Sequence, residues 1–322
     1  RMSKNDPATY TEMPTNSAKS ATASTRRAAY GSRTADFSRV HAGVNRHPPE
    51  RGCQADALRL ALRWQMSVSG SGDEDLEQAQ TRVGRTLRGK WKLDSLIGIG
   101  GMAAVYAATH KLGRRDAIKI LHPQVAVSKE LRARFEQEAH AVIKLGHPGT
   151  VQVLDVDVTE EGAPFMVMEF LDGESLGQRA YRLGGLEEHE LFGYADKLLE
   201  VLVAAHAHGI IHRDIKPDNL FITSGGQLKV LDFGIARMRE SSNVHTRTGA
   251  MLGTTPYMAP EQIHAKPIDG RADLYALGAT LYRILAKKKI HEADSDAELL
   301  MKMGSTTASP LRVAAPHRSE ER

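Results

Sequence analysis

His212-Arg213-Asp214-Ile215-Lys216-Pro217-Asp218-Asn219, with Asp232-Phe233-Gly234 downstream, constrains this chain more than any other feature. A carboxylate, an ammonium and an amide share one short loop. A second carboxylate returns after Leu220–Thr223, Gly225-Gly226 and Leu228–Leu231, a run that reads as a hairpin. Any fold of this chain must set a hairpin behind a polar loop so that these groups face one cleft. Their chemistry is coherent. Asp214 can orient a hydroxyl and accept its proton, and Lys216 can offset negative charge on a group in transfer. Asn219 and Asp232 supply oxygen ligands of the kind a hard cation such as Mg²⁺ prefers.

Two upstream elements point to phosphate. Gly98-Ile99-Gly100-Gly101-Met102-Ala103-Ala104-Val105 places glycines where a backbone could lie against a polyphosphate without a Cβ in the way. A tight hairpin turn would use the same glycines, so the segment alone decides little. A dinucleotide site needs a helix directly after the glycines, whereas Ala103–Thr109 reads as a strand. No G-x-x-x-x-G-K-[ST] sequence occurs. Lys119, inside the apolar Ala117-Ile118-Lys119-Ile120 run, is either an edge-strand lysine facing water or a buried ammonium that needs anionic partners. Glu138, on the helix expected over Ser128–Leu145 with Ser128 as N-cap, is the candidate carboxylate.

With Ala259-Pro260-Glu261 downstream, these motifs together resemble the eukaryotic-like protein kinase family, and within it the bacterial Ser/Thr branch. The resemblance covers about Lys90 to about Pro310. It implies an α+β, two-lobed kinase fold, with a strand-rich small lobe and a helical large lobe. It implies transfer of the γ-phosphate of ATP, with Mg²⁺, to Ser/Thr hydroxyls of protein substrates. By the same likeness Gly98, Gly100 and Gly101 cover the phosphates, with Ile97 and Val105 beside them. Lys119 contacts the α/β-phosphates and pairs with Glu138. Asp214 is the catalytic base, Lys216 steadies the γ-phosphoryl, and Asn219 and Asp232 hold the metal. Met168 is the gatekeeper, and Glu169-Phe170-Leu171 the hinge for adenine, so Glu169 and Leu171 join the nucleotide site. Glu261 and Asp273 are large-lobe anchors. Arg213 beside Asp214 implies a loop switched by phosphorylation, with Thr246-Arg247-Thr248 as its autophosphorylation pair and a transient kinase dimer to carry it out.

Composition sets the frame around this core. Residues 1–65 hold eleven Lys/Arg against five Asp/Glu, so the basic excess of a chain with net charge +4 sits there. That segment is poor in large apolar residues and reads as disordered. The remainder is near neutral, which gives no footprint for nucleic acid. Cys53 is the single cysteine, no run approaches a membrane span, and the opening residues lack a signal's apolar stretch. The reading is a cytoplasmic protein. Its expected organisation is a basic tail (1–65), a linker with a short helix over Leu76–Leu87 (66–89), a kinase domain (90–310, lobes 90–170 and 171–310) and a disordered end (311–322). A start of translation at Met66 is an open alternative. His206 and His208, two apart on a helix, do not share a face and read as structural rather than metal-binding.

Two departures from the family pattern stand out. Ala103 replaces a third glycine, a mild change. The helical lobe is expected to be truncated after Asp294–Met303, which would leave Glu261 without a buried arginine partner. A catalytically weak nucleotide-binding or interaction module is therefore the alternative function.

Overall fold

Alternation in Trp91-Lys92-Leu93-Asp94, buried and exposed in turn, sets one face of a sheet against a core. The computed structural model describes residues 72–233 and 255–316, apart from 265 and 294. Its strands β1 (Thr86–Leu87), β2 (Trp91–Ile99), β3 (Ala103–His110), β4 (Arg115–Leu121), β5 (Val153–Val158) and β6 (Pro164–Glu169) form one antiparallel sheet in the order β1-β2-β3-β4-β6-β5. Leu93, Tyr106, Ile118, Phe165 and Val167, all fully buried, form the core on one face.

Three helices flank this sheet. α1 (Gly72–Gln80) buries Ala79 and packs Leu76 against the same core. Its helical course stops well short of the Leu76–Leu87 expectation. Gly84 takes φ +88°, a left-handed conformation that ends any helix, and Thr86-Leu87 turns into β1. α2 (Pro123–Ala126) is one turn, and α3 (Lys129–Leu145) follows it. Ser128 caps α3 by accepting from the Leu131 N–H at 3.3 Å, and Gly146 closes it at φ +55°.

The second half is helical. β7 (Gly173–Ser175) leads into α4 (Leu176–Arg182), which opens with a Ser175/Gln178 capping box. Sequence periodicity missed both elements because each is too short to show a period. α5 (Glu188–Ala207) and α7 (Arg271–Ala286) are the long helices, with α6 (Pro260–Ile263), α8 (Asp296–Ser305) and α9 (Leu311–Ala314) around them. Leu191, Leu198, Val201, Leu202 and Ala205 of α5 bury against Ala276, Leu277 and Ile284 of α7. β8 (Leu220–Thr223) and β9 (Leu228–Val230) form the expected hairpin, with β7 on its other edge. Among the described residues no helix is long and apolar enough to cross a membrane.

The hairpin also ties the two halves together. Val230 donates its N–H to Gly149 O at 2.7 Å and accepts from Val151 N–H at 3.2 Å. Lys229 Nζ reaches Glu169 Oε1 at 2.6 Å and Thr150 O at 3.3 Å. The strand end at Glu169 is thereby fixed to the hairpin that follows the His212–Asn219 loop.

Candidate active site

Lys119 alternates out of the buried set of β4, directly opposite Val105 of β3 and Met166 of β6. Its Nζ lies 3.1 Å from Glu138 Oε1 on α3 and 2.7 Å from Asp232 Oδ1 after β9. The open choice for this lysine is thus decided: it points inward, 14% exposed, between two carboxylates. Burial pulls its pKa down, but Asp232 and Glu138 outweigh burial and hold the ammonium above its ordinary value. Burial pushes Glu138 up, only partly offset by Lys119. Asp232 is held below the usual carboxylate range: burial acts against it, and the closer contact with Lys119 prevails. Its carboxylate is still 49% exposed and so turned partly to solvent.

The apolar residues expected around a nucleotide share one cluster. Ile97, Val105, Met168 and Leu171 belong to it, and Ala117 and Leu231, which the sequence did not single out, join them. The Glu169 side chain does not join them. It accepts from Gln152 N–H at 2.8 Å and from Lys229, while its own N–H donates to Gln152 O at 2.9 Å.

The His212–Asn219 loop is organised from within and from below. Asn219 Nδ2 donates to Asp214 O at 2.8 Å and to Asp214 Oδ2 at 2.9 Å, and Lys216 Nζ lies 3.3 Å from Oδ2. The Asn219 amide nitrogen is committed to Asp214, so its carbonyl oxygen is the ligand it has to offer. Below the loop, fully buried Asp273 accepts from His212 N–H at 2.9 Å, Arg213 N–H at 2.7 Å and His206 Nε2 at 2.8 Å. These bonds hold Arg213 at φ +66°, a conformation a long side chain rarely adopts. His206 was thus not legible as a loop support, because its partner lies 67 positions away. His208 points elsewhere, onto Ala204 O at 2.8 Å. Gly98 lies near the end of β2, paired with Val105 of β3, and Gly100 and Gly101 form the turn between these strands.

Arg213 Nε is buried with no hydrogen-bond partner among the described residues, and burial pulls the guanidinium pKa down. Gly234 and Thr246-Arg247-Thr248 lie outside the described residues. Glu261 in the first turn of α6 is half-buried, not sealed, and Arg271 is near enough to feel its charge. The expected penalty of a buried unpaired carboxylate therefore does not arise, since water reaches it.

His212 carries a pH signature. It is fully buried, its Nδ1 accepts from Asp214 N–H at 3.2 Å, and its Nε2 donates to Leu231 O at 2.9 Å. A proton on Nδ1 would face that N–H, and burial already pushes the His212 pKa down. The unfolded chain takes up this proton near pH 6.5 and the folded one only lower, so stability falls as pH drops below about 6.5. Urea midpoints measured from pH 7.5 to 5 should decline, and His212→Phe should flatten that slope. Equal slopes in the two proteins would refute the assignment.

The protein kinase domain model matches residues 91–320. The serine/threonine-protein kinase Pkn1 of Myxococcus xanthus is 42% identical over 202 residues, 61% of this chain and 29% of that protein. PknA of Mycobacterium tuberculosis is 37% identical over 235 residues, 71% of this chain and 54% of its own. The chain thus spans about a third to a half of the curated relatives it matches. The crystal structure of the M. tuberculosis PknI kinase domain superposes with a TM-score of 0.57 at 26% identity, covering 73% of this chain and 84% of that one. With its curled antiparallel sheet, helical second half and charged cleft between them, this chain belongs to the protein kinase domain family, among bacterial serine/threonine kinases.

Proposed function

We propose that this chain transfers the γ-phosphate of ATP to Ser or Thr hydroxyls of proteins, itself included. The observation that carries the proposal is the pair of contacts from Lys119 to Glu138 at 3.1 Å and to Asp232 at 2.7 Å. They bring a small-lobe ammonium and a large-lobe carboxylate to one point in the cleft, within a chain that also supplies Asp214, Lys216 and Asn219. The glycines support a phosphate tail there. A Cβ at Gly98 would meet only Val105 at 3.7 Å, and one at Gly100 only Ala103 O at 3.8 Å. Neither glycine has positive φ. Among the described residues nothing demands glycine at these positions, so the room they leave suits a ligand.

The roles follow from the groups. Asp214 accepts the hydroxyl proton as the hydroxyl oxygen bonds to the γ-phosphorus. The bridging P–O bond breaks, and ADP leaves with its electrons. Lys216 offsets charge on the phosphoryl oxygens, and Lys119 holds the α/β-phosphates. Asp232 and the Asn219 carbonyl would hold Mg²⁺, which supplies charge neutralisation on the phosphates. Ile97, Val105 and Leu171 would enclose adenine, with the Glu169 carbonyl facing it. An ATP-dependent enzyme with one cysteine suits a cytoplasmic setting.

Arg213, whose buried Nε has no hydrogen-bond partner among the described residues, supports activation by a phosphate on the loop beyond Asp232. Thr246 and Thr248 are the proposed acceptors, phosphorylated within a transient dimer. The test is incubation of the purified chain with Mg-ATP, followed by mass mapping of phosphate. Expected are Mg²⁺-dependent incorporation on Ser/Thr, with Thr246 or Thr248 among the sites. Thermal stabilisation by ATP without any transfer would refute the enzyme and leave a nucleotide-binding module.

A further inference from the structure

His122 stands outside every role assigned above, yet it is only 2% exposed. It follows β4 directly, three residues after Lys119, and serves as the N-cap position of α2. Its backbone N–H donates to Met102 O at 2.9 Å, and its Nε2 lies 2.7 Å from Gly100 O. A carbonyl can only accept, so the ring nitrogen is the donor. Both bonds land on the glycine turn, one on each side of Gly101. Within the turn there is a Gly100 N–H to Ala103 O bond at 2.9 Å.

A run of glycines has more backbone freedom to lose than any other sequence, so ordering it is costly. One buried residue that grips the turn at two points reduces that freedom before a ligand arrives. The grip is itself anchored. Gln124 Nε2, two residues on, donates to Asp75 Oδ1 of α1 at 2.5 Å, and Ala126 packs with Leu76 against the small-lobe core. Tyr106, fully buried, donates its hydroxyl to Ala79 O at 2.9 Å, which fixes α1 to the sheet. The family model begins at residue 91, so α1 lies ahead of it.

We infer that His122 is a positioning residue for the nucleotide: through the Gly100 carbonyl it holds the 98–102 turn in the shape that receives a triphosphate tail. The inference rests on the ATP site proposed above. Its signature is selectivity for phosphates, because adenosine binds without touching the turn.

The test compares Mg-ATP and adenosine binding by calorimetry in the parent chain, His122→Leu and His122→Gln. Leucine keeps bulk and removes the donor; glutamine restores an N–H of similar reach. His122→Leu should weaken Mg-ATP about tenfold, the weight of one hydrogen bond, and leave adenosine unchanged. His122→Gln should recover affinity to within about threefold of the parent. If the leucine variant does not fold by circular dichroism, His122→Asn, too short to reach Gly100, carries the same expected loss. Equal ATP affinity in parent and donor-less variant overturns the inference, as does a parallel loss of ATP and adenosine. A parent chain that binds no Mg-ATP overturns the ATP site itself, and the inference with it.

Discussion

Asp214→Asn should lower phosphotransfer by about 10²–10⁴-fold while Mg-ATP affinity stays within about twofold of the parent. The side chain is buried, accepts from Asn219 Nδ2 at 2.9 Å, and lies 3.3 Å from Lys216 Nζ. Asparagine is nearly isosteric, so the loop keeps its shape, helped by the bond from Asn219 to the Asp214 backbone carbonyl at 2.8 Å. What it cannot do is accept the substrate proton. The contacts of Lys119 with Glu138 and Asp232 do not involve Asp214, and Asn219 bonds Asp214 through Nδ2, leaving its carbonyl for the cation, which is why binding is spared. Single-turnover transfer and calorimetric ATP binding, measured on the same preparations, check both halves. A variant that transfers phosphate at the parent rate removes Asp214 from the role of base.

Asp273→Asn is the second large effect, and it acts through stability. Asp273 is fully buried, and its two oxygens receive three donors: His212 N–H, Arg213 N–H and His206 Nε2. An asparagine amide accepts on one side only. Its NH₂ would face at least one backbone N–H, donor against donor. Hydrogen bonds to a charged acceptor contribute about 1.5–3 kcal/mol each, so a loss of about 3 kcal/mol is expected. For a domain of this size that lowers Tm by roughly 6–12 °C. Arg213 is then freed from φ +66° and relaxes, carrying Asp214 out of register with Lys216. Activity should fall with stability, and lower temperature should not restore it fully. A variant with the parent's Tm and activity would show that Asp273 does not hold the loop.

The legible part of this protein was the part written in contiguous residues. β4 over Arg115–Leu121 and the β8/β9 hairpin were readable because a short apolar run marks the one and turn glycines mark the other. So was α3, whose cap, apolar stripe and closing glycine all lie within one segment. The short β7 and α4 carry no such period. The sequence reading extended α1 too far because apolar spacing continues past Gly84, while the backbone there does not.

The site divides along the same line. Asp214, Lys216, Asn219 and Asp232 could be named from one dense motif, since their side chains lie on one loop and one hairpin. Lys119 could be named only as a lysine in an apolar run, with its direction undecided. Its orientation depends on α3 and on the end of β9, each from a different part of the chain. His206, Lys229 and His122 carried no local signal at all. A histidine on a helix, a lysine on a hairpin and a histidine after a strand are ordinary by composition. Only packing brings them to Asp273, Glu169 and Gly100.

By itself, then, the sequence named the candidates: which groups could accept a proton, offset charge and offer oxygen to a cation. Those capacities belong to residue types at close spacing, while partners far along the chain set how each is charged, as Lys119 does for Asp232. The tertiary structure decided which way Lys119 points, what holds Arg213 in a strained backbone, and what grips the glycine turn. Each depends on donors and acceptors meeting from segments far apart in the chain, and hydrogen-bond distance is a property of the fold alone.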